Sequence, residues 1–241
     1  RAASAASASA CRPALPSVNA AASCKSIPIV VTVSIVRSLP ALRIAVKPSR
    51  LSAAGCPVIS VVHGSSTAGG AYQTGLSDYV VVVRGRSKVF LAGPPLLKAA
   101  TGEIATDEQL GGAEMHYHVS GTAEYLAEND ADGLRVAREI VAKLQWNKSV
   151  SARKRSFAEP LYDPEEILGI TPADYRTPYD VRENIARIVD GSDLLGFKDG
   201  YGAATVCAHA EIAGHAVGII SNNGPIDADG AAKAAQFIQL Q

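Results

Sequence analysis

The sequence predicts an α/β chain built from two similar strand–strand–helix units rather than from one doubly wound sheet. Three observations carry this expectation. The runs CPVISVVH (56–63) and DYVVVV (78–83) are short, continuously apolar and bounded by turn residues, as strands buried on both faces are. The segment ENDADGLRVAREIVAKL (128–144) places Leu134, Ala137, Ile140, Val141 and Leu144 at helical spacing, so it reads as an amphipathic helix. After the polar, proline-bearing connection NKSVSARKRSFAEPLYDPEE (147–166), strands followed by a helix return.

Taken in order, residues 1–24 are rich in alanine and serine, with scattered arginine and no acid, a composition like that of an organelle transit peptide. Residues 27–50 are apolar but interrupted by Arg37 and Pro40, too broken for a membrane span and strand-like without clear order. From Leu51 the character changes. The strand 56–63 leads into AGGAYQTGL (68–76), whose glycines permit a tight turn, and then into the strand 78–83. SKVFLA (87–92) is a third strand ended by Gly93, Pro94 and Pro95, and LLKAATGE (96–103) is a short helix. ATDEQLGGAEMHYHVSG (105–121) supplies a turn or helix and an extended segment. Past the connection, DVRENIARIVD (180–190) reads as a helix and AATVCAHAEIAGHAVGIISNNG (203–224) as a strand pair turning at Ala213 and Gly214. DADGAAKAAQFIQLQ (227–241) is a helix with Asp227 or Asp229 as its N-cap.

Composition narrows the function. The 241 residues are 47% hydrophobic, enough for a real core. Their formal charge is zero, but residues 1–77 hold seven Lys or Arg and no acid, which leaves 16 basic against 23 acidic residues afterwards. A basic nucleic-acid surface on the main body is therefore not expected. Cys11, Cys24, Cys56 and Cys207 show no paired spacing, so free thiols in a reducing compartment are expected rather than a structural zinc. His116 and His118 could share one face of a strand, but without a third ligand nearby they read as surface or hydrogen-bonded histidines. The basic run 152–155 reads as solvated linker.

The stretch VVHGSSTAGGAYQTGLSDYVVVV (61–83) puts bare backbone where two strands and a helix meet. One reading is hydrolytic: Gly64 to Ala68 approximate a nucleophile elbow with Ser66 as the serine, and His209 and His215 are available for a triad. A second reading uses no side chain. The first N–H groups of a helix have no intrahelical acceptor, and at Gly69 and Gly70 they could stabilise the oxyanion of an enolised thioester. A third is structural, a glycine pair that lets helix and strand pack closely. Spacing alone does not choose.

The stretch 61–83, continued through RGRSKVFLAGPPLLKAATGEIATDEQLGGAEMH, resembles the N-terminal carboxyltransferase domain of biotin-dependent acyl-CoA carboxylases. Segment 128–144 matches the helix that closes that domain, and DVRENIARIVDGSDLLGFKDGYGAATVCAHAEIAGHAVGIISNNG (180–224) resembles the start of the homologous C-terminal domain. Within the family, GSSTAGGAYQTGLSDY with FLAGPPLLKAATGE is most similar to geranyl-CoA and methylcrotonyl-CoA carboxylases.

The resemblance implies a crotonase-like (ClpP/crotonase) fold of ββα units in two homologous, incomplete carboxyltransferase domains. These are residues 51–150 and 179–241, joined by a linker at 151–178 and preceded by a non-family segment, 1–50. It implies carboxyl transfer from carboxybiotin to a branched enoyl-CoA. Gly69 and Gly70 are then the oxyanion donors, Thr67, Ala71 and Tyr72 lie beside them, and Ala92, Gly93, Pro94 and Pro95 line the acyl or CoA channel. Biotin would be carried on a partner biotin carboxylase/biotin carrier subunit, and carboxyltransferase subunits would form a homo-oligomer. No metal, nucleic acid or membrane is expected, in the bacterial cytoplasm or, alternatively, the mitochondrial matrix. The biotin-side oxyanion hole would lie beyond Gln241, so this chain by itself is expected to be unstable and inactive in carboxyl transfer. Residues 1–48 read as an out-of-frame or foreign extension. The alternatives are a serine hydrolase using Ser66 and a non-catalytic crotonase-like remnant.

Overall fold

The computed structural model describes residues 48–144, 157–174 and 176–241, together with the backbone of 30–33. Cys11, Cys24, the alanine/serine stretch and the basic run 152–155 lie outside the described residues.

Four parallel strands form the first sheet in the order β1 (Val30–Val33), β2 (Val58–Val62), β4 (Tyr79–Val83) and β6 (Tyr125–Ala127). The helix α1 (48–53) precedes β2. Beside this sheet, β3 (Ser65–Thr67) and β5 (Lys88–Phe90) pair as a separate two-stranded parallel ribbon. The helix α2 (Gly69–Gly75) links β3 to β4, and α3 (Pro94–Thr101) and α4 (Asp107–Gly111) follow β5. The helix α5 (Asp130–Lys143) follows β6.

The continuous apolar runs of β2 and β4 follow from burial on both faces. On β4, Tyr79, Val81 and Val83 enter one apolar cluster, while Val80 and Val82 enter another, because successive side chains alternate across a strand. Each fully buried valine contributes roughly 1.5–3 kcal/mol relative to exposure, so these two strands dominate the core. Gly133 lets α5 approach closely: a Cβ there would lie 3.2 Å from a Val61 methyl and 3.4 Å from one of Val83. Asn129 caps α5 by accepting the Asp132 N–H at 3.0 Å. Within this helix the inward positions are Gly133, Val136, Ala137 and Ile140. Leu134, expected on the apolar stripe, is 46% exposed, because the buried face is rotated toward Gly133 and Val136.

Past the connection come the short helices α6 (Ile167–Ile170) and α7 (Arg182–Ala186). The helix expected over 180–190 is broken: after α7 the chain passes through a 3-10 turn, Asp190–Ser192, with Gly191 at φ 58°. An antiparallel sheet follows, in the order β7 (Leu194–Gly196), β8 (Thr205–Ile212) and β9 (His215–Asn222). Ala213 and Gly214, both at positive φ, make the two-residue turn of the β8–β9 hairpin. Asp190 receives both turn N–H groups, at 2.8 and 2.7 Å. The last helix, α8 (Ala228–Leu240), has Asp227 as N-cap, accepting the Gly230 N–H at 2.6 Å.

The main core joins both sheets. Ile59, Val61, Tyr79, Val81 and Ile140 pack with Leu195, Phe197, Cys207 and Phe237 in one cluster. Phe197 and Phe237 meet at 5.2 Å between ring centroids, and Tyr79 meets Phe197 edge-on at 6.2 Å.

The extended segment expected around His116 and His118 is instead a π-helix, Met115–Val119. His116 ties it to β5 through the Val89 carbonyl at 2.7 Å, and His118 reaches Glu114 at 3.1 Å and the Gly200 carbonyl at 3.2 Å. The two histidines therefore act as structural ties rather than as neighbours on a strand face.

Candidate active site at the β3–α2 junction

The glycine junction is built by a change of sheet. After β2 the chain leaves the main sheet at His63 and Gly64, runs through β3, and enters α2 at Gly69. Ser66, read from sequence as the residue between a strand and a helix, lies inside β3. Ala68 turns the chain with φ 48° and ψ −114°, a conformation that glycine adopts readily and alanine does not. Its N–H donates to the Phe90 carbonyl at 3.2 Å, and its carbonyl accepts from Ala71 at 3.1 Å and Tyr72 at 3.4 Å.

The N–H groups of Gly69 and Gly70 are the first two of α2, too early in the helix to find an intrahelical acceptor. Gly70 is buried and Gly69 half-buried, so these donors sit at a recessed strand–helix corner. Ala71 packs inward with Val62, Val80 and Val89, whereas Tyr72 is 49% exposed and Thr67 is exposed. The second predicted segment meets the first through parallel pairing. Thr67 is opposite Phe90, so Ala68 and the residues after β5 leave the ribbon at the same end. Gly93 caps α3, Pro94 fills its first turn, and Ala92 and Pro95 are exposed. Loops at the carboxyl ends of parallel strands are where α/β sheets place ligands.

Ser66 has no catalytic partner. It is 1% exposed and its Oγ meets the Thr74 Oγ1 at 3.3 Å. His209 lies in the aromatic core, with Nε2 3.4 Å from the Tyr79 hydroxyl, and burial pushes its pKa down to about 4. His215 is exposed at the hairpin. The triad geometry of a serine hydrolase is therefore absent among the described residues.

Two charged constellations were invisible to sequence spacing. At the start of β3, His63 Nδ1 and Asp130 Oδ1 are 2.8 Å apart, and Arg86 holds the other Asp130 oxygen. The hydrogen bond from His63, with the charge of Arg86, keeps the Asp130 carboxyl below its ordinary range. These partners are 67 residues apart in the chain, so only folding could pair them. The second is buried. Glu124 accepts the Val80 N–H at 2.5 Å, the Gln236 amide at 3.1 Å and the Lys198 ammonium at 3.3 Å. Burial pushes its pKa up to about 7 despite Lys198. Nearby, Lys233 is 1% exposed and donates to the Thr205 carbonyl at 2.7 Å and the Tyr201 carbonyl at 3.1 Å.

Cys56 and Cys207 are both buried. Among the described residues no cluster of His, Cys, Asp or Glu could hold a metal ion, and no helix is long and apolar enough to cross a membrane.

Residues 34–241 match the carboxyl transferase domain family, beginning ahead of Leu51, where the resemblance in sequence was first legible. The chain is 53% identical over 80% of its length to a Mycobacterium tuberculosis protein named as a probable biotin-dependent acyl-coenzyme A carboxylase beta2 subunit. It is 45% identical over 82% of its length to the mitochondrial methylcrotonoyl-CoA carboxylase beta chain of Dictyostelium discoideum. The chain spans about a third of those relatives, 36% and 34% of their lengths. Among solved structures, transcarboxylase 12S with hydrolysed methylmalonyl-coenzyme A bound superposes with a TM-score of 0.73 at 33% identity, over 82% of this chain and 39% of that one. The beta subunit of P. aeruginosa geranyl-CoA carboxylase is 64% identical over 81% of this chain and 37% of that one, with a TM-score of 0.41. The fold is therefore crotonase-like, and the chain belongs to the carboxyl transferase domain family.

Proposed function

We propose that residues 34–241 serve carboxyl transfer from carboxybiotin to an acyl-CoA, with Gly69 and Gly70 as the donors that stabilise the enolate oxygen. The observation that carries this reading is the pair of N–H groups at the recessed start of α2, held by a turn at Ala68 that a non-glycine residue adopts only under strain. Charge that develops on a thioester oxygen is stabilised by donors fixed beforehand, typically at about 3 kcal/mol per donor. Thr67, Ala71 and Tyr72 flank the oxygen site, and Ala92, Gly93, Pro94 and Pro95 form the neighbouring wall through the parallel pairing of β3 with β5. When bound, biotin on a partner carrier subunit supplies the carboxyl group. The residues described here present donors to the thioester, and none of them is assigned to biotin.

The substrate reading is a branched enoyl-CoA, geranyl-CoA or 3-methylcrotonyl-CoA. Removal of a γ-proton from such a thioester gives a vinylogous enolate whose negative charge rests on the same oxygen. Identity of 45% to a methylcrotonoyl-CoA carboxylase chain against 33% to transcarboxylase 12S supports this choice. We assign residues 51–150 and 179–241 to two homologous carboxyltransferase units joined by 151–178. The partners are a biotin carboxylase/biotin carrier subunit and further carboxyltransferase subunits, in the bacterial cytoplasm or the mitochondrial matrix.

The test is calorimetric titration of the chain with 3-methylcrotonyl-CoA, geranyl-CoA and propionyl-CoA, repeated with Gly70→Ala. The branched thioesters should bind more tightly, and Gly70→Ala should weaken them, because a methyl group then stands beside the donor. Absence of any acyl-CoA binding would refute the site, and preference for propionyl-CoA would refute the branched assignment.

A further inference from the structure

The polar interior of the β3–α2 corner is unexplained by packing. Ser66 and Thr74 carry hydroxyls and are nevertheless 1% and 0% exposed. Burying a hydroxyl is costly unless it is hydrogen-bonded. Here the bonding has a fixed direction. The Thr74 Oγ1 lies 3.4 Å from the Gly70 carbonyl, which can only accept, so Thr74 donates there. Ser66 must then donate to Thr74, across 3.3 Å. A serine before the turn is thereby tied, through a threonine in the helix, to the carbonyl of the second donor residue. The tie spans Ala68, the strained residue. Such a conformation persists only when its surroundings over-determine it, and Ala68 is held besides by its own N–H bond to Phe90 and by its carbonyl, which accepts from Ala71 and Tyr72.

We propose that the Ser66–Thr74 hydroxyl pair positions the Gly69 and Gly70 N–H groups for the acyl-CoA oxygen. The inference rests on the oxyanion reading of those two glycines. Both residues act through backbone and touch no substrate, so they are positioning residues. The Thr74 bond to Gly70 is the i−4 bond that a helical threonine ordinarily makes, so what distinguishes this corner is the buried serine that donates to it from the far side of the turn.

The experiment compares the full chain with Ser66→Ala, Thr74→Val and Thr74→Ser. The N–H directions of Gly69 and Gly70 are measured by residual dipolar couplings, 3-methylcrotonyl-CoA affinity by calorimetry and global stability by urea unfolding. Thr74→Val is expected to turn both N–H vectors and weaken the thioester about tenfold, a change of about 1.4 kcal/mol. Thr74→Ser, which keeps the hydroxyl, is expected to restore both. Ser66→Ala is expected to act in the same direction as Thr74→Val. Unchanged couplings in Thr74→Val overturn the proposal, as does a loss of affinity that Thr74→Ser shares in full. A wild-type chain that binds no acyl-CoA, with couplings that still move in Thr74→Val, refutes the oxyanion reading and leaves the geometric tie supported. A wild type that binds, with Thr74→Val binding equally well, refutes this inference alone.

Discussion

Glu124→Gln tests the buried charge that joins the two sheets, and its signature is a slope rather than a single stability. In the folded chain Glu124 titrates at about 7 against an ordinary 4.5, and His209 at about 4 against 6.5. Between about pH 4.5 and 6.5 the folded chain holds a proton on Glu124 and none on His209, while the unfolded chain holds one on the histidine and none on the glutamate. The proton counts match, so these two groups leave stability flat across that window. The stabilising contribution of protonated Glu124 is full below its unfolded value and is lost as pH rises through 7, whereas that of neutral His209 is full above 6.5 and is lost as pH falls through 4. Glu124→Gln removes the first term. The unfolded state then binds one more proton than the folded state, and stability should rise with pH by about 1.4 kcal/mol per unit. Asp130, Asp132 and Asp180 are all lowered from an ordinary 3.8, so their own transitions fall below the window. Because Glu124 is protonated across the window, Lys198, 5% exposed, meets a neutral acid there in the wild type and a neutral amide in the variant, so loss of its carboxylate partner should destabilise the variant only above about pH 7. Urea midpoints measured at half-unit intervals across the window give both slopes. A Glu124→Gln chain as flat as the wild type would refute the assignment of these two groups.

Three further outcomes follow from single contacts. Ala68→Gly removes the strain of a positive φ at the turn and should raise stability by about 1 kcal/mol, after the entropy of glycine is set against it; thermal unfolding reads this, and a less stable variant would show that the turn carries no strain. Gly121→Ala should destabilise by more than about 2 kcal/mol, because φ is 62° there and a Cβ would lie 2.7 Å from the Tyr201 ring; soluble expression at wild-type stability would contradict this. Lys233→Met keeps the length of the side chain but leaves the Thr205 and Tyr201 carbonyls without their donor, and should cost about 2 kcal/mol, read from urea midpoints.

The central elements were legible because their signals are local. Valine runs buried on both faces, the helical spacing of 128–144 and the turn chemistry at Ala213 and Gly214 all act over a few residues, and the strands β2, β4, β8 and β9 and the helix α5 lie where those signals stand. The glycine pair was visible for the same reason, and motif resemblance supplied a role that spacing alone left open. The details of the segments between were not. The π-helix at Met115–Val119 depends on His116 reaching the Val89 carbonyl, and Leu134 is exposed because the close fit of Gly133 against Val61 and Val83 decides which face of α5 turns inward. The pairing of Thr67 with Phe90, which brings the two halves of the candidate site to one end of a ribbon, is a contact between strands separated by another strand and a helix. Glu124 with Lys198, and His63 with Asp130, are likewise partners across long stretches of chain. The sequence by itself determined which segments become strands and helices and which backbone stays bare; the tertiary structure decided which charges are buried, which hydroxyls meet and which loops share a corner, because those depend on desolvation and contact between residues that no local pattern links.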